Sequence, residues 1–236
     1  MSTENVVRTH DKLYLKEDRK NEPKEYFKFI NSIVKEQVSR KDIKVVDVGC
    51  ATGDFVYYLK QQYPNIDITG IDVDDELLAR ARKEVPQANF VQGDISAGGD
   101  FGKYDLVFMN GVHSIFENLD WLGNLLKMRR NEKSCIYVFG LFNPENLDVI
   151  IKARPSGSTC KWETGWNVFS MQTVSSYLTE NKLKSEYRKF EIGLDITKDL
   201  NDPFRSWTEP IGNGKRMIIS GLQLRHTFYL LEITSV

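Results

Sequence analysis

The residues best suited to chemistry are acids that follow short apolar runs. Asp47 stands in the run 44–48, and directly after it comes a loop of small residues, Gly49-Cys50-Ala51-Thr52-Gly53. Small residues let a backbone approach a ligand closely, and the helix expected next offers free N–H groups and positive potential. This combination is typical of a nucleotide-type site at the carboxyl end of a first strand.

Two more acids occupy comparable places. Asp72 follows the apolar run 66–71, at a distance from the small-residue loop where an acid can accept hydrogen bonds from a ribose diol. Asp94 follows a third run, 89–91. Since carboxyl ends of parallel strands meet at one edge of a sheet, we expect these acids to share a site.

A fourth apolar run, 104–109, leads into Asn110, Gly111 and His113. An imidazole titrates near neutral pH and can take a proton from a hydroxyl or an amine. His113 is therefore a candidate base or substrate ligand. The alternative is a satisfied histidine at the start of a helix.

Strands and helices alternate along the chain up to residue 140, which predicts right-handed βαβ units and a doubly wound parallel α/β sheet. An amphipathic helix beginning near Pro23 belongs to an N-terminal helical cap, 1–40. Asp74 is the predicted N-cap of a helix over 75–84. The remaining predicted elements are strands at 44–48, 66–71, 89–91, 104–109, 134–140, 185–194 and 225–234, and helices at 53–62, 115–129 and, capped by Ser170, 171–182.

Two stretches interrupt this pattern, 141–169 and 197–221. Long irregular stretches inside a compact domain are usually functional, so we expect lid or substrate-binding insertions there. Trp162, Trp166 and Trp207 lie in them and are either lid core or walls of a substrate pocket. The Gly212-Asn213-Gly214 sequence predicts a hairpin turn within the second stretch.

Composition excludes several classes of protein. The 236 residues are 41% hydrophobic and 28% charged, with a net charge of −1, which gives no basic footprint for nucleic acid. No apolar run reaches the roughly 20 residues of a membrane span, and the polar start is unlike a signal peptide. Three cysteines without CxxC spacing indicate reduced thiols and no metal site. We expect a single cytoplasmic domain, 1–236, of undetermined oligomeric state.

Taken together, these motifs resemble those of the class I S-adenosylmethionine-dependent methyltransferases. The first motif of that family is acid-x-Gly-x-Gly-x-Gly, and it stands here as Asp47, Gly49, Ala51 and Gly53, with Ala51 as a small departure. The resemblance is strong over about 43–140 and weak in the late strands. It implies a Rossmann-like methyltransferase fold, a seven-stranded, mostly parallel sheet whose last strand runs antiparallel, with lid insertions.

The resemblance also implies a cofactor, S-adenosylmethionine, with S-adenosylhomocysteine as product, and a set of residue roles. The acid and loop of the first motif would hold the methionine portion, the later acids the ribose and the adenine, and the segment after the fourth strand the methyl-transfer site. In that order, the residues are Asp47, Gly49, Cys50, Ala51 and Gly53; Asp72 with Val73; Asp94 with Ile95; and Asn110, Gly111 and His113.

Other readings of the same residues are less well matched. A nicotinamide dehydrogenase needs G-x-G-x-x-G, and the third glycine position holds Asp54. Cys50 fits a small loop residue better than a nucleophile, because methyl transfer requires positioning and no enzyme nucleophile. Amino-methylating nucleic-acid enzymes carry Asn-Pro-Pro-aromatic where this chain has Asn110-Gly111-Val112-His113.

We therefore expect O- or N-methylation of a small polar molecule, such as a sugar or another biosynthetic intermediate. Candidate substrate contacts are Tyr14, Trp166, Asn143, Arg154 and Arg205. The alternatives are a methyltransferase for a protein or peptide, which an exposed acidic groove would favour, and a non-catalytic interaction module that keeps the fold.

Overall fold

A computed structural model describes residues 14–15, 20–154, 156–157, 159, 161–191, 195–200, 206–220 and 225–236. The helices are α1 Glu25–Val38, α2 Asp54–Gln62, α3 Asp75–Glu84, α4 Asp120–Lys127 and α5 Met171–Glu180. The strands are β1 Lys44–Val48, β2 Asp67–Asp72, β3 Asn89–Gln92, β4 Leu106–Asn110, β5 Cys135–Asn143, β6 Lys152–Ala153, β7 Glu163–Thr164, β8 Phe169–Ser170, β9 Leu183–Phe190, β10 Trp207–Gly212, β11 Lys215–Ile219, β12 Arg225–His226 and β13 Phe228–Ser235.

The main sheet has the strand order β3-β2-β1-β4-β5-β13-β9, with the two-residue β8 paired to the end of β5. Neighbouring strands from β3 to β5 are parallel, whereas β13 runs antiparallel to both β5 and β9. This confirms the predicted α/β class and the seven-stranded, mostly parallel sheet. The order reverses between β1 and β4, which is the switch point where ligands bind in open α/β sheets.

Side chains of the central strands alternate between two cores, one on each face of the sheet. Val46 and Val48 of β1 join the core packed by α4 and α5, whereas Val45 joins the core packed by α1 and α2. Such alternation follows from the two-residue period of a strand. Because both faces are buried under helices, the central strands read as continuous apolar runs in the sequence.

Several predicted boundaries are wrong by a few residues. The helix expected from residue 115 begins at Asp120, because the Asn118 side chain accepts from the Asp120 amide at 3.0 Å and a separate 3-10 turn covers His113–Ile115. Strand β5 continues to Asn143, so the first residues assigned to the insertion 141–169 belong to the sheet, and Leu141 and Phe142 are buried. The two late strands also lie at β9 and β13, not at 185–194 and 225–234.

The predicted caps and the predicted hairpin are present. The Asp74 carboxylate accepts from the amides of Glu76 and Leu77, and Ser170 accepts from the amide of Thr173. The 212–214 turn joins β10 to β11, with left-handed backbone at all three residues. Among the described residues, no helix is both long and apolar enough to cross a membrane.

Candidate functional site

A cleft opens at the carboxyl ends of β1, β2 and β4. It spans about 820 Å³ of space, part of which is open solvent at its mouth. Its walls come from five separate parts of the chain. They are Tyr14; Val48, Gly49 and Ala51; Asp72, Val73, Asp74 and Leu77; Gly93, Asp94 and Ile95; and Asn110, Gly111, Val112, Ile115 and Phe116.

The loop after β1 takes a backbone shape that only small residues tolerate well. Gly49, Ala51 and Gly53 all have positive φ, at 76°, 47° and 78°. A Cβ atom on Gly49 would lie 2.2 Å from Cγ2 of Val112, so this glycine lets the loop after β4 approach the loop after β1. The small-residue run identified in the sequence therefore brings two walls of the cleft together.

Asp72 is fixed by backbone amides at the end of β2. Its Oδ2 accepts from the Ala51 amide at 2.8 Å and its Oδ1 from the Asp74 amide at 3.0 Å. Because the amides hold both oxygens in place, the carboxylate keeps one orientation at the cleft wall, and its remaining lone pairs can accept from a ligand. Val73 follows it along the same wall.

Asp94 presents a buried acceptor at the wall of the cleft. Its Oδ1 accepts from the amide and the hydroxyl of Ser96, at 2.8 and 2.6 Å. Its Oδ2 is buried and has no hydrogen-bond partner within the described part of the chain. Since buried polar atoms in native proteins are nearly always paired, an unused oxygen in the lining of a cleft indicates a donor on a ligand.

Asp47 lies beneath the cleft and is bonded to one of its lining residues. The Asn110 Nδ2 donates to Asp47 Oδ1 at 3.1 Å, and the Asn110 Oδ1 is buried without a partner among the described atoms. Burial raises the pKa of the Asp47 carboxyl to about 7. The hydrogen bond from Asn110 lowers this pKa, and the negative charges of Asp72 and Asp54 raise it further. A cation in the cleft would favour the charged form of Asp47.

Within the described ranges, no group of three or more His, Cys, Asp or Glu side chains is placed to hold a metal ion. The features of the cleft are therefore carboxylates, one amide, small-residue backbone and apolar side chains. Exposed backbone lies at the switch point of the sheet, and acids follow β2 and β3. This arrangement suits a molecule that contains a nucleoside.

Comparison with protein families agrees with this geometry. Residues 45–133, which include β1 to β4 and the acids of the cleft, match the family model described as "Methyltransferase domain". This match covers less than half of the chain. It agrees with the resemblance to S-adenosylmethionine-dependent methyltransferases that the sequence motifs predict.

Individual relatives match this methyltransferase domain over part of their length. The trans-aconitate 2-methyltransferase of Acidovorax sp. (strain JS42) is 30% identical over 107 residues, which are 44% of this chain and 39% of that protein. The enzyme of the same name from Escherichia coli O1:K1 / APEC is 36% identical over 87 residues, 36% of this chain and 32% of that protein. The chain thus matches less than half of the length of these relatives.

Solved structures share the fold over nearly the whole chain. The plantazolicin methyltransferase BpumL, in complex with a pentazolic desmethylPZN analog and SAH, aligns over 95% of this chain and 90% of its own, with a TM-score of 0.58 and 18% identity. The DhpI-SAM-HEP complex aligns over 98% and 99%, with a TM-score of 0.56 and 11% identity. The main sheet of this chain therefore has the same fold as these structures.

Two residues predicted to bind cofactor in the first motif lie elsewhere. The Cys50 side chain packs in the core beneath α1 and α2, close to Gly70, and burial raises the pKa of its thiol well above the usual range. Gly53 is the left-handed residue before α2, where its amide donates to the Cys50 carbonyl at 2.8 Å. Neither lines the cleft, so of the first motif only Gly49 and Ala51 do.

His113 is a core residue and not a member of the cleft lining. It is fully buried, its ring stacks on Phe142 at 4.6 Å, and its Nε2 lies 2.9 Å from the Leu141 carbonyl. Burial lowers its pKa to about 4. The prediction of a base at the methyl-transfer site is corrected, because the turn that carries His113 places its neighbour Val112 in the cleft and the imidazole against β5.

The predicted substrate contacts divide into one that reaches the cleft and three that do not. Tyr14 lines the cleft. The Asn143 Nδ2 donates to the Leu147 carbonyl, and its Oδ1 accepts from the Glu145 amide, so this side chain closes its own turn. Arg154 is exposed over the ring of Trp162 at 4.8 Å.

Trp166 is half-buried and outside the lining, and it takes a left-handed conformation with φ of 59°. Arg205, the remaining candidate, lies outside the described residues. Trp207 is buried, and its indole N–H donates to Glu209 at 2.9 Å, which places it in the packing of the β10–β11 hairpin.

One important residue went unrecognised in the sequence. Asn167 is fully buried; its side chain donates to the Phe116 carbonyl at 2.8 Å and accepts from the Ile151 amide at 2.8 Å. Its own amide donates to the Ser114 carbonyl. Asn167 thus ties the stretch after β5 to the cleft wall at Phe116, and no local pattern distinguishes it from a surface loop asparagine.

Proposed function

We propose that this protein binds S-adenosylmethionine in the cleft and transfers its methyl group to a small polar molecule. The observation that carries the proposal is the pair of fixed acids in the lining. Asp72 is held by two backbone amides, and Asp94 keeps one buried oxygen that has no partner among the described residues. Those are the acceptors that a ribose diol and an adenine amino group need.

The other residues of the lining fit the same molecule. Val73 and Ile95 offer apolar surface beside the two acids, where a purine ring has to pack. Asp47 of β1 and the Asn110 Oδ1 of β4, which has no partner within the described part of the chain, suit an ammonium group. This order along the cleft follows the order of the strands, β3, β2, β1 and β4.

When bound, S-adenosylmethionine supplies a methyl group already activated on a sulfonium. The protein then has to align an acceptor atom with that methyl group and keep water away, which is positioning and desolvation. Gly111, Val112, Ile115 and Phe116 continue the lining past Asn110 and are the residues we assign to this task. Their apolar character suits desolvation of the reacting atoms.

A small acceptor is supported by the lining of the cleft and by the relatives. Tyr14 and Phe116 come to the cleft from distant parts of the chain. The matching relatives are named trans-aconitate 2-methyltransferases, which is a small-molecule activity. The proposal therefore keeps a small polar acceptor as the substrate and leaves oxygen and nitrogen acceptors both open.

The test is a screen for formation of S-adenosylhomocysteine from S-adenosylmethionine with carboxylic acids, alcohols including sugars, and amines. We expect one acceptor class to raise product formation well above the rate without acceptor. The Asp94→Ala variant should lose that signal at limiting cofactor, whereas Asp100→Ala, an acid outside the lining, should keep it. Transfer to peptides and to no small molecule would contradict the proposal.

A further inference from the structure

Tyr14 reaches the cleft from a part of the chain that the sheet does not fix. It precedes α1, whereas every other lining residue belongs to β1 or to a later part of the chain. Among the contacts that hold Tyr14 are a hydrogen bond from Arg80 of α3 and the Lys24 ammonium over its ring.

Arg80 joins Tyr14 to α3 through one hydrogen bond, and a second bond holds the Arg80 side chain on its own helix. One of its terminal nitrogens donates to the Tyr14 carbonyl at 2.9 Å, and its Nε donates to Glu84 at 2.7 Å. The side chains of Arg80 and Glu84 are only 23% and 20% exposed. Leu77, one turn before Arg80 on the same helix, lines the cleft, so the bonded carbonyl lies close to the cofactor site.

Two lysines reinforce the same connection. The Lys24 ammonium lies 4.9 Å from the centre of the Tyr14 ring, and the Lys20 ammonium lies 3.5 Å from Glu84. Glu84 thus receives Lys20 on one oxygen and Arg80 on the other. Tyr14 and Lys20 are therefore both attached to α3, and Lys24 contacts the Tyr14 ring.

We propose that Arg80 is a positioning residue that holds Tyr14 over the bound cofactor and slows its release. A guanidinium is a rigid planar donor, so it can satisfy Glu84 and the Tyr14 carbonyl together, and partial burial makes such a contact stronger than a surface ion pair. The proposal rests on the proposed function, because it needs the cofactor in this cleft. Arg80 itself does not line the cleft.

The experiment measures the affinity and the dissociation rate of S-adenosylhomocysteine for the full chain and its variants. Arg80→Ala should weaken binding about tenfold, mostly through faster dissociation. The matched control is Arg82→Ala on the same helix, whose ion pair with Asp75 is more exposed, at 45% and 62%. That variant should stay within about twofold of the unsubstituted protein.

Two further readouts separate positioning from other roles. In a Tyr14→Ala background, Arg80→Ala should have no additional effect, because the ring it positions is gone. The loss should also be equal for S-adenosylmethionine and S-adenosylhomocysteine; a purely electrostatic effect of removing a cation would differ between a sulfonium and a thioether.

Unchanged binding in Arg80→Ala would overturn the proposal, as would a loss that persists in the Tyr14→Ala background. A loss that differs between the two ligands would also overturn it. Failure of the unsubstituted protein to bind S-adenosylhomocysteine is a separate outcome. It would contradict the proposed function, and the role of Arg80 would fall with it.

Discussion

At the scale of single residues, two fully buried groups bear on pH dependence, Asp47 and His113. Burial disfavours the charged form of each, so the pKa of Asp47 rises to about 7 and that of His113 falls to about 4. Between these values both side chains are uncharged in the protein without ligand. Asp47 lies next to a lining residue of the cleft and His113 in the core, so they affect different properties.

Asp47 should make cofactor binding depend on pH. Because its pKa is raised above the ordinary value of 3.8, the carboxyl holds a proton below pH 7, and a bound cation favours its release. We expect affinity for S-adenosylmethionine to rise from about pH 5.5 to pH 7.5, with proton release near pH 6. Calorimetry in buffers of different ionisation enthalpy measures both. If Asp47→Asn shows the same pH dependence, Asp47 is not the group responsible.

His113 should contribute to stability in a pH window and not to chemistry. Its pKa is lower in the folded protein than the ordinary value of 6.5, so the unfolded chain takes up a proton first as the pH falls. Its contribution to the free energy of unfolding is therefore complete above pH 6.5. That contribution falls by about 3 kcal/mol as the pH falls toward 4.

Urea unfolding at several pH values, compared between the natural protein and His113→Phe, checks this expectation. The substitution keeps an aromatic ring against Phe142 but cannot titrate. The difference in unfolding free energy between the two proteins should grow in favour of the natural protein as pH rises from 4 to 6.5. If the difference in unfolding free energy does not change with pH, the pKa of His113 is not lowered in the folded protein.

At the scale of elements, the local sequence predicts helix caps and turns better than it predicts the direction of buried side chains. Asp74 and Ser170 cap their helices because an oxygen two or three residues before free amides is enough. The start of α4 was missed because Asn118 closes a local turn that competes with a helix. His113 was misplaced because the direction of its ring is set by Phe142, on a distant strand.

The loop after β1 allows strain and steric clash to be separated. Gly49 and Gly111 have nearly the same φ, 76° and 75°. A Cβ atom on Gly49 would lie 2.2 Å from Val112, whereas a Cβ atom on Gly111 would meet nothing within 4 Å. Alanine at either position should lose about 1–2 kcal/mol through left-handed strain. Gly49→Ala should lose about 1–3 kcal/mol more through overpacking.

Urea unfolding of the two variants measures the difference. Equal losses would show that Val112 moves aside without penalty and that the two loops do not constrain each other. The larger loss in Gly49→Ala would support the close approach of the β1 and β4 loops that forms one corner of the cleft.

At the scale of the whole molecule, the cleft exists because the sheet order brings together five segments that are far apart in the chain. The alternation of strands and helices in the sequence predicts parallel strands, which place the acids after β2 and β3 at one edge of the sheet. The positions of Asp72 and Asp94 in the lining could therefore be predicted. Tyr14 and Phe116 depend instead on the long-range contacts of Arg80 and Asn167. Such contacts have no local signature. The sequence names Tyr14 and Gly111 as candidates but does not predict Val112, Ile115 and Phe116 in the lining.

The most direct measurement is a calorimetric titration of S-adenosylhomocysteine into the natural protein and into Asp72→Ala. Asp75→Ala, an exposed acid in the first turn of α3, is the control. We predict micromolar binding by the natural protein and the control. Asp72→Ala should bind at least about 100-fold more weakly, since two hydrogen bonds to a charged acceptor are each worth about 1.5–3 kcal/mol. Equal affinity in Asp72→Ala, or no binding by the natural protein, would contradict a cofactor site in this cleft.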